Sequence, residues 1–469
     1  MSNFIIDELS KIVYNDLVSF HVPGHKLGKL YDKLNYTEIL KKLYKMDTTE
    51  IPGTDNLHSP EDIIKKSQER ASQAFKSDKT YFLINGSTCG IQAAIMALCP
   101  PKSKIIVNRD CHQSVINSCI LGDINPVYIK SSIDRDTNIL KGVDINDAIK
   151  VIDNNKDAKA LILTYPTYYG MTYDLKTICD YAHSYNIAVI IDEAHGAHLG
   201  LSDKLPKTAL EQGADIVIQS THKTLPAFTQ SSMIHTKGHR VDDNKLMSIL
   251  KIIESSSPSY LLMSSLELAV DIYDKYGKDL MSNLIDNINK FKNSFKDSKS
   301  IEIYNTSDVT KIFISTTGMG LIGYELETIL REEYNIQVEL SNYYGSLLVC
   351  TIGNEDKDFK CLETALNDII NKYKSNKQIG RIDYPNDIPV QKLTPREAFY
   401  KDKKSVKIYE SIDKVCGEYI IPYPPGISLT SPGEVITKEI IDYILFCSKK
   451  GMNVSGLKDS TLGQIQIIE

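Results

Sequence analysis

The sequence predicts an α/β protein built on a large, mostly parallel sheet, with smaller α/β units after it. Three observations carry this. From about residue 60 to 240, short apolar runs alternate with amphipathic or Ala-rich stretches, as strands and helices taken in turn do. The apolar runs are continuous, which is how strands covered on both faces read. Two of them end in polar residues suited to a sheet rim. Ile187-Ala188-Val189-Ile190-Ile191 leads into Asp192, and Ile216-Val217-Ile218 leads through Gln219-Ser220-Thr221-His222 to Lys223.

Taken in order, residues 1–58 read as an N-terminal arm with turn clusters at Pro23-Gly24 and Pro52-Gly53. Residues 59–295 read as the large domain. Its first strand spans 81–84, Asn85-Gly86-Ser87-Thr88 is the turn, and an Ala-rich helix covers 89–98. Further strands are expected over 104–107, 160–164, 188–191, 215–218 and 232–235, with a helix over 175–184 among those between them. A smaller α/β unit covers 296–376, with strands over 310–315 and 347–351 and helices over 324–333 and 359–370. A polar stretch with Pro385, Pro389 and Pro395 makes 377–395 a linker, and 396–469 a C-terminal domain. Ligands of such a sheet sit at the carboxyl ends of its strands.

The chain has 469 residues, 42% hydrophobic and 24% charged, an ordinary globular balance. Its net charge of −6 disfavours a nucleic-acid partner. No apolar run approaches the ~18 residues of a membrane helix, so no membrane partner is expected. Asp7 and Glu8 fall where a signal peptide needs an apolar core. Nine cysteines without a C-x-x-C pair fit reduced thiols, and the expected location is cytoplasmic.

Lys223 and Asp192 imply a specific chemistry. A lysine and a carboxylate at one rim can hold an aromatic aldehyde between them, the amine on the aldehyde carbon and the acid on a ring nitrogen. A carboxylate beside that nitrogen keeps it protonated. A phosphate on the same molecule needs N–H groups at a helix start and hydroxyl donors. Gly86-Ser87-Thr88 stands between a strand and a helix, and Ser220 and His222 flank the lysine. An ordinary capped turn would also explain Gly86-Ser87-Thr88, and a helix N-cap would explain Asp192. His112, after the strand at 104–107, is placed to cover the ring face, and His195 lies near it. These features together point to pyridoxal 5'-phosphate (PLP).

The motifs also resemble a known family. Phe20-His21-Val22-Pro23-Gly24-His25-Lys26, Asp47-Thr48-Thr49-Glu50 and Gly53-Thr54-Asp55-Asn56-Leu57-His58 look like its N-terminal signature. Tyr165-Pro166-Thr167-Tyr168-Tyr169-Gly170, Asp192-Glu193-Ala194-His195 and Ser220-Thr221-His222-Lys223 continue it. Ser257-Pro258-Ser259-Tyr260, Leu393-Thr394-Pro395-Arg396-Glu397-Ala398 and Pro424-Pro425-Gly426 complete it. In order and over nearly the whole chain, these resemble the Orn/Lys/Arg decarboxylases, which have the aminotransferase-like PLP fold type I.

The resemblance implies roles. Lys223 is the Schiff-base lysine and Asp192 the partner of the pyridine nitrogen. Ser87, Thr88, Ser220 and His222 hold the phosphate, and His112 stacks on the ring. His195 takes a place where some relatives have tryptophan. The family's sites lie at a homodimer interface, alone or within a higher oligomer, so Ser255 is expected to reach the partner's phosphate. Glu434, with Asp55 as second choice, is the candidate for the distal cation of a basic amino acid. The N-terminal wing of the family's long members is expected to be absent, which favours biosynthesis over acid resistance. Arginine, giving agmatine for polyamine synthesis, is the expected substrate; lysine or ornithine, giving cadaverine or putrescine, is the alternative. Transamination or another PLP lyase step is the remote one.

Two other classes fit less well. Asp192-Glu193-Ala194-His195 spells a helicase DEAH box, but the G-x-x-x-x-G-K-[ST] loop it needs is absent. A metal hydrolase would use His195, His198 and His222, with no acidic ligand at suitable spacing.

Overall fold

The structure is a computed structural model that describes residues 4–15, 17–373, 379–380, 384–385, 387–423 and 426–469. The Pro424-Pro425 part of the C-terminal motif and several linker positions lie outside these residues. Seven strands make the central sheet: β1 (Lys79–Leu83), β2 (Lys104–Asn108), β3 (Asn125–Ile129), β4 (Ala160–Thr164), β5 (Ala188–Asp192), β6 (Ile216–Gln219) and β7 (Ser232–Thr236). Their order is β1-β7-β6-β5-β4-β2-β3. Strand β7 is antiparallel to both its neighbours, and the pairs from β6 across to β3 are all parallel.

The continuous apolar runs are what a doubly covered sheet needs. In β5 every residue is buried. Val189 and Ile191 join one apolar cluster, and Ile190 joins the other, because successive side chains leave opposite faces. Helix Gly86–Leu98 covers one face with Ile91, Ala94 and Ile95. The long helix Tyr260–Ser294 places Leu266, Ala269 and Ile272 in the cluster on the other.

The expected strands are observed with ends that differ by at most two residues: β4 matches, β1 and β6 are shifted, and β5 runs on to include Asp192 itself. Strand β3 was not expected. It contains Pro126, which has no N–H to donate to the ladder, and it is tolerated because β3 is the sheet edge.

The smaller unit is a four-stranded antiparallel sheet of Glu302–Tyr304, Lys311–Ser315, Gly345–Val349 and Leu340–Ser341, with helices Gly323–Tyr334 and Asp356–Lys372. The N-terminal segment is tied to it: Val18–Phe20 pairs in parallel with Ile336–Val338. Toward the C-terminus, Lys403–Lys407, Gln464–Ile468 and Val415–Cys416 form a three-stranded sheet. Helix Lys438–Lys449 packs on it, and Ile436, Ile441 and Ile444 belong to a separate apolar cluster there. Among the described residues, no helix is long and apolar enough to cross a membrane.

The N-terminal segment also reaches the central sheet. Gly24 donates its N–H to the His222 carbonyl at 2.7 Å. A Cβ on Gly24 would lie 2.5 Å from the Leu225 carbonyl oxygen. Only a residue without a side chain permits this approach to the turn that carries Lys223. Gly24→Ala is therefore expected to destabilise the protein by about 1–3 kcal/mol, the usual range for overpacking. Thermal unfolding checks this, and an unchanged midpoint would mean that the contact is slack.

Candidate active site

The carboxyl ends of β4, β5 and β6 meet at one rim. Register places Asp192 opposite Thr164 on one side and Ile218 on the other. The chain leaves β6 at Gln219 and makes one helical turn, Thr221–Thr224, which carries Lys223 back over the rim. A cavity of about 120 Å³ opens here, lined by Ser87, His112, Tyr168, Asp192, His195 and Lys223 among others.

Asp192 is 4% exposed and accepts the Ala194 N–H at 3.1 Å. Burial raises its pKa, while the positive groups His112 and Lys223 work in the other direction. Burial likewise lowers the pKa of Lys223, opposed by Asp192. Lys223 Nζ lies 3.0 Å from His195 Nε2. His112 caps helix Gln113–Gly122, its Nδ1 accepting the Ser114 N–H at 3.2 Å, and its ring is exposed toward solvent.

A second cluster forms at the start of helix Gly86–Leu98. Gly86 adopts φ +76°, a left-handed conformation that glycine takes without strain. Ser87 Oγ and Ser220 Oγ, from different strand ends, lie 2.7 Å apart. Thr88 is exposed on the first helical turn. His222 donates Nδ1–H to the Ser231 carbonyl at 2.9 Å. Glu254 supports the turn from behind, accepting the Ile84 N–H at 3.0 Å and the Cys89 thiol at 3.3 Å. Sequence reasoning passed over Glu254, because nothing near it in the chain marks it as a partner of residue 84.

Two expected substrate contacts fall elsewhere. Glu434 is 1% exposed but is bound to Arg109, Oε1 at 2.5 Å from Nη1 and Oε2 at 2.8 Å from Nη2. Both oxygens serve a guanidinium of this chain, so Glu434 is withdrawn as the substrate's counter-charge. Asp55 is withdrawn as well: its carboxylate accepts the backbone N–H groups of Asn56, Glu61, Asp62 and Ile64 and organises its own loop. Ser255, expected to reach the partner's phosphate, is exposed, with its hydroxyl on the Ser257 carbonyl. The three histidines of the metal reading also go to separate partners. His195 faces Lys223, His198 pairs with Asp308 at 3.1 Å, and His222 binds Ser231.

Comparison with known proteins identifies the family. The model of the Orn/Lys/Arg decarboxylase major domain matches residues 5–318, and that of the C-terminal domain matches residues 383–467. The chain belongs to the Orn/Lys/Arg decarboxylase family. It is 35% identical to an arginine decarboxylase of Bacillus subtilis, over 98% of this chain and 96% of that one. An arginine decarboxylase of Bacillus anthracis is 34% identical over 96% and 94%. The solved structure of the constitutive lysine decarboxylase of Escherichia coli superposes with a TM-score of 0.78 at 19% identity, covering 100% of this chain and 82% of that one. That likeness establishes the aminotransferase-like PLP fold type I.

The residues fit the family's cofactor. Lys223 and Asp192 line one cavity, as an aldehyde and a pyridine nitrogen on a single ring require. The paired hydroxyls of Ser87 and Ser220 stand at a helix N-terminus, where a phosphate is favoured. The open His112 ring supplies an apolar face beside them.

In this decarboxylase the Arg109–Glu434 pair joins the C-terminal domain to the rim. Arg109 also donates to the Leu429 carbonyl at 2.8 Å and stacks over Tyr128 at 4.8 Å. It sits three residues before His112, and Gly426 and Ile427, from the other side of the pair, line the cavity. Glu434→Ala leaves a buried guanidinium uncompensated and is expected to destabilise by about 3–5 kcal/mol. Arg109 and Glu434 replaced together by apolar residues should lose much less. Denaturant unfolding of the single and double variants separates these outcomes, and equal losses would contradict the account.

Proposed function

We propose that this protein decarboxylates L-arginine to agmatine and CO2, the entry to polyamine synthesis, and that it works as a homodimer. The Lys223–Asp192 pair at one rim, facing a single cavity, carries the cofactor chemistry, and the match of both decarboxylase domain models supports decarboxylation. Support for arginine over lysine or ornithine comes from 35% identity to an arginine decarboxylase along almost the whole of both chains. Exposure of Ser255, next in the chain to the Glu254 that braces the phosphate turn, supports the dimer. A partner approaching there meets the cofactor's phosphate end.

Each residue has a task. When bound, PLP supplies the electron sink for the pair left behind as CO2 departs. Asp192, dry and fixed by the Ala194 N–H, holds a proton on the pyridine nitrogen, which makes that sink effective. Lys223 would be the residue that holds the aldehyde carbon of bound PLP, its amine lining the cavity where the aldehyde would lie. Desolvation assists, because it favours the unprotonated lysine that bond formation needs. Ser87 and Ser220, with hydroxyls 2.7 Å apart, would donate to the phosphate of bound PLP, and His112, lining the same cavity, would cover a face of its ring.

A competition assay tests the reading. Protein supplied with PLP and equal arginine, lysine and ornithine should give agmatine as the dominant amine by mass spectrometry. Cadaverine or putrescine would overturn the choice of substrate, and consumption of an added keto acid would overturn the reaction class. Lys223→Ala should show no turnover. Asp192→Ala should lose on the order of 10²–10³ in kcat, the scale for removing one preorganised electrostatic contact; an unaffected rate would move the ring-nitrogen role elsewhere.

A further inference from the structure

His195 lines the same cavity as Lys223 and Asp192. It is 5% exposed, with Nε2 at 3.0 Å from Lys223 Nζ. Its ring lies against Tyr168, centroids 4.4 Å apart. Tyr168 is held in turn, its hydroxyl donating to Glu339 Oε1 at 2.6 Å, while Glu339 Oε2 accepts the Val22 N–H at 2.9 Å. The imidazole is thus fixed in the wall by a chain of contacts that ends on the N-terminal segment. Among the described residues, its Nδ1 is buried and has no hydrogen-bond partner.

That orphan atom decides between two tautomers. If Nε2 accepted from Lys223, Nδ1 would carry the hydrogen and be a buried donor without an acceptor. Such donors are rarer in folded proteins than under-satisfied acceptors, and leaving one costs its full desolvation. If Nε2 carries the hydrogen, Nδ1 is only a bare lone pair, and the Nε2–H points at Lys223. A donor at 3.0 Å from a lysine nitrogen requires a lone pair there, and only the neutral amine has one.

We propose that His195 is a positioning residue for Lys223, donating Nε2–H to the lone pair of the neutral amine and so holding it unprotonated, ready to capture the cofactor's aldehyde. The surrounding charges are compatible with this. Burial, Lys223, Lys311, His222 and His198 all oppose a charge on His195, which stays neutral. Around Lys223, burial and Lys311 disfavour the ammonium while Asp192 and Glu339 favour it. The balance at the lysine is contested, and a single donated hydrogen bond shifts it. The inference rests on Lys223 as the cofactor lysine and is independent of which amino acid is the substrate.

The test reads aldehyde capture rather than turnover. The full-length chain, stripped of cofactor, is mixed with PLP over a range of pH, and the absorbance of the lysine adduct is followed in time. Wild type is compared with His195→Leu, which fills the space without a donor, and His195→Gln, whose amide N–H reaches the place of Nε2–H. Loss of one hydrogen bond should move the midpoint of the Leu profile up by about one pH unit, which is about tenfold slower capture below the midpoint. The Gln variant should regain most of that loss. A Leu profile that superposes on wild type, or a Gln profile displaced as far as Leu, would overturn the inference. Wild-type protein that captures no aldehyde would overturn the assignment of Lys223, and this inference with it.

Discussion

A buried acid and a largely buried lysine line one cavity at the carboxyl ends of neighbouring parallel strands, and the rest of the site is arranged around that fact. Charges taken out of water are expensive unless they are paired or neutralised. Here burial pushes Asp192 and Lys223 toward their neutral forms, and each opposes the shift in the other. The outcome is a pair poised to exchange its mutual interaction for a ligand that offers both a ring nitrogen and an aldehyde. Parallel strands make this possible, because they bring consecutive strand ends to the same rim.

Support for the pair comes from three distant parts of the chain. The N-terminal segment packs Gly24 against the Lys223 turn and sends Val22 to Glu339. Glu254, just ahead of the long helix, braces the turn that opens helix Gly86–Leu98. Arg109 and Glu434 tie the C-terminal domain to the strand end that presents His112. Two of these supports, Glu254 and the Arg109–Glu434 pair, bury a polar group with its partner and so contribute direction as well as stability.

Much of this was legible in the sequence, and the limits follow from physical reasons. The runs of β4, β5 and β6 announce themselves because strands covered on both faces are apolar throughout. Lys223 and Asp192 stand out because polar residues at the ends of such runs have to emerge at the rim. Strand β3 escaped notice because Pro126 argues against a strand anywhere but at an edge. Glu434 was legible as an unusual acid, but not its partner: Arg109 lies 325 positions away, and only the fold reveals that the acid is already taken. Asp55 was read as a ligand group where four backbone N–H groups claim it. The contact of His195 with Lys223 is equally invisible in sequence, since it depends on how two turns fold over the same rim.

The most direct test of the account is to find which lysine carries the cofactor. Borohydride reduction of PLP-loaded protein, followed by digestion and mass spectrometry, fixes the phosphopyridoxyl group to a peptide. The account predicts the label on Lys223 alone. Lys26 and Lys311 are also deeply buried near the same sheet end. Stoichiometric label on either of them, with Lys223 unmodified, would contradict the site described here.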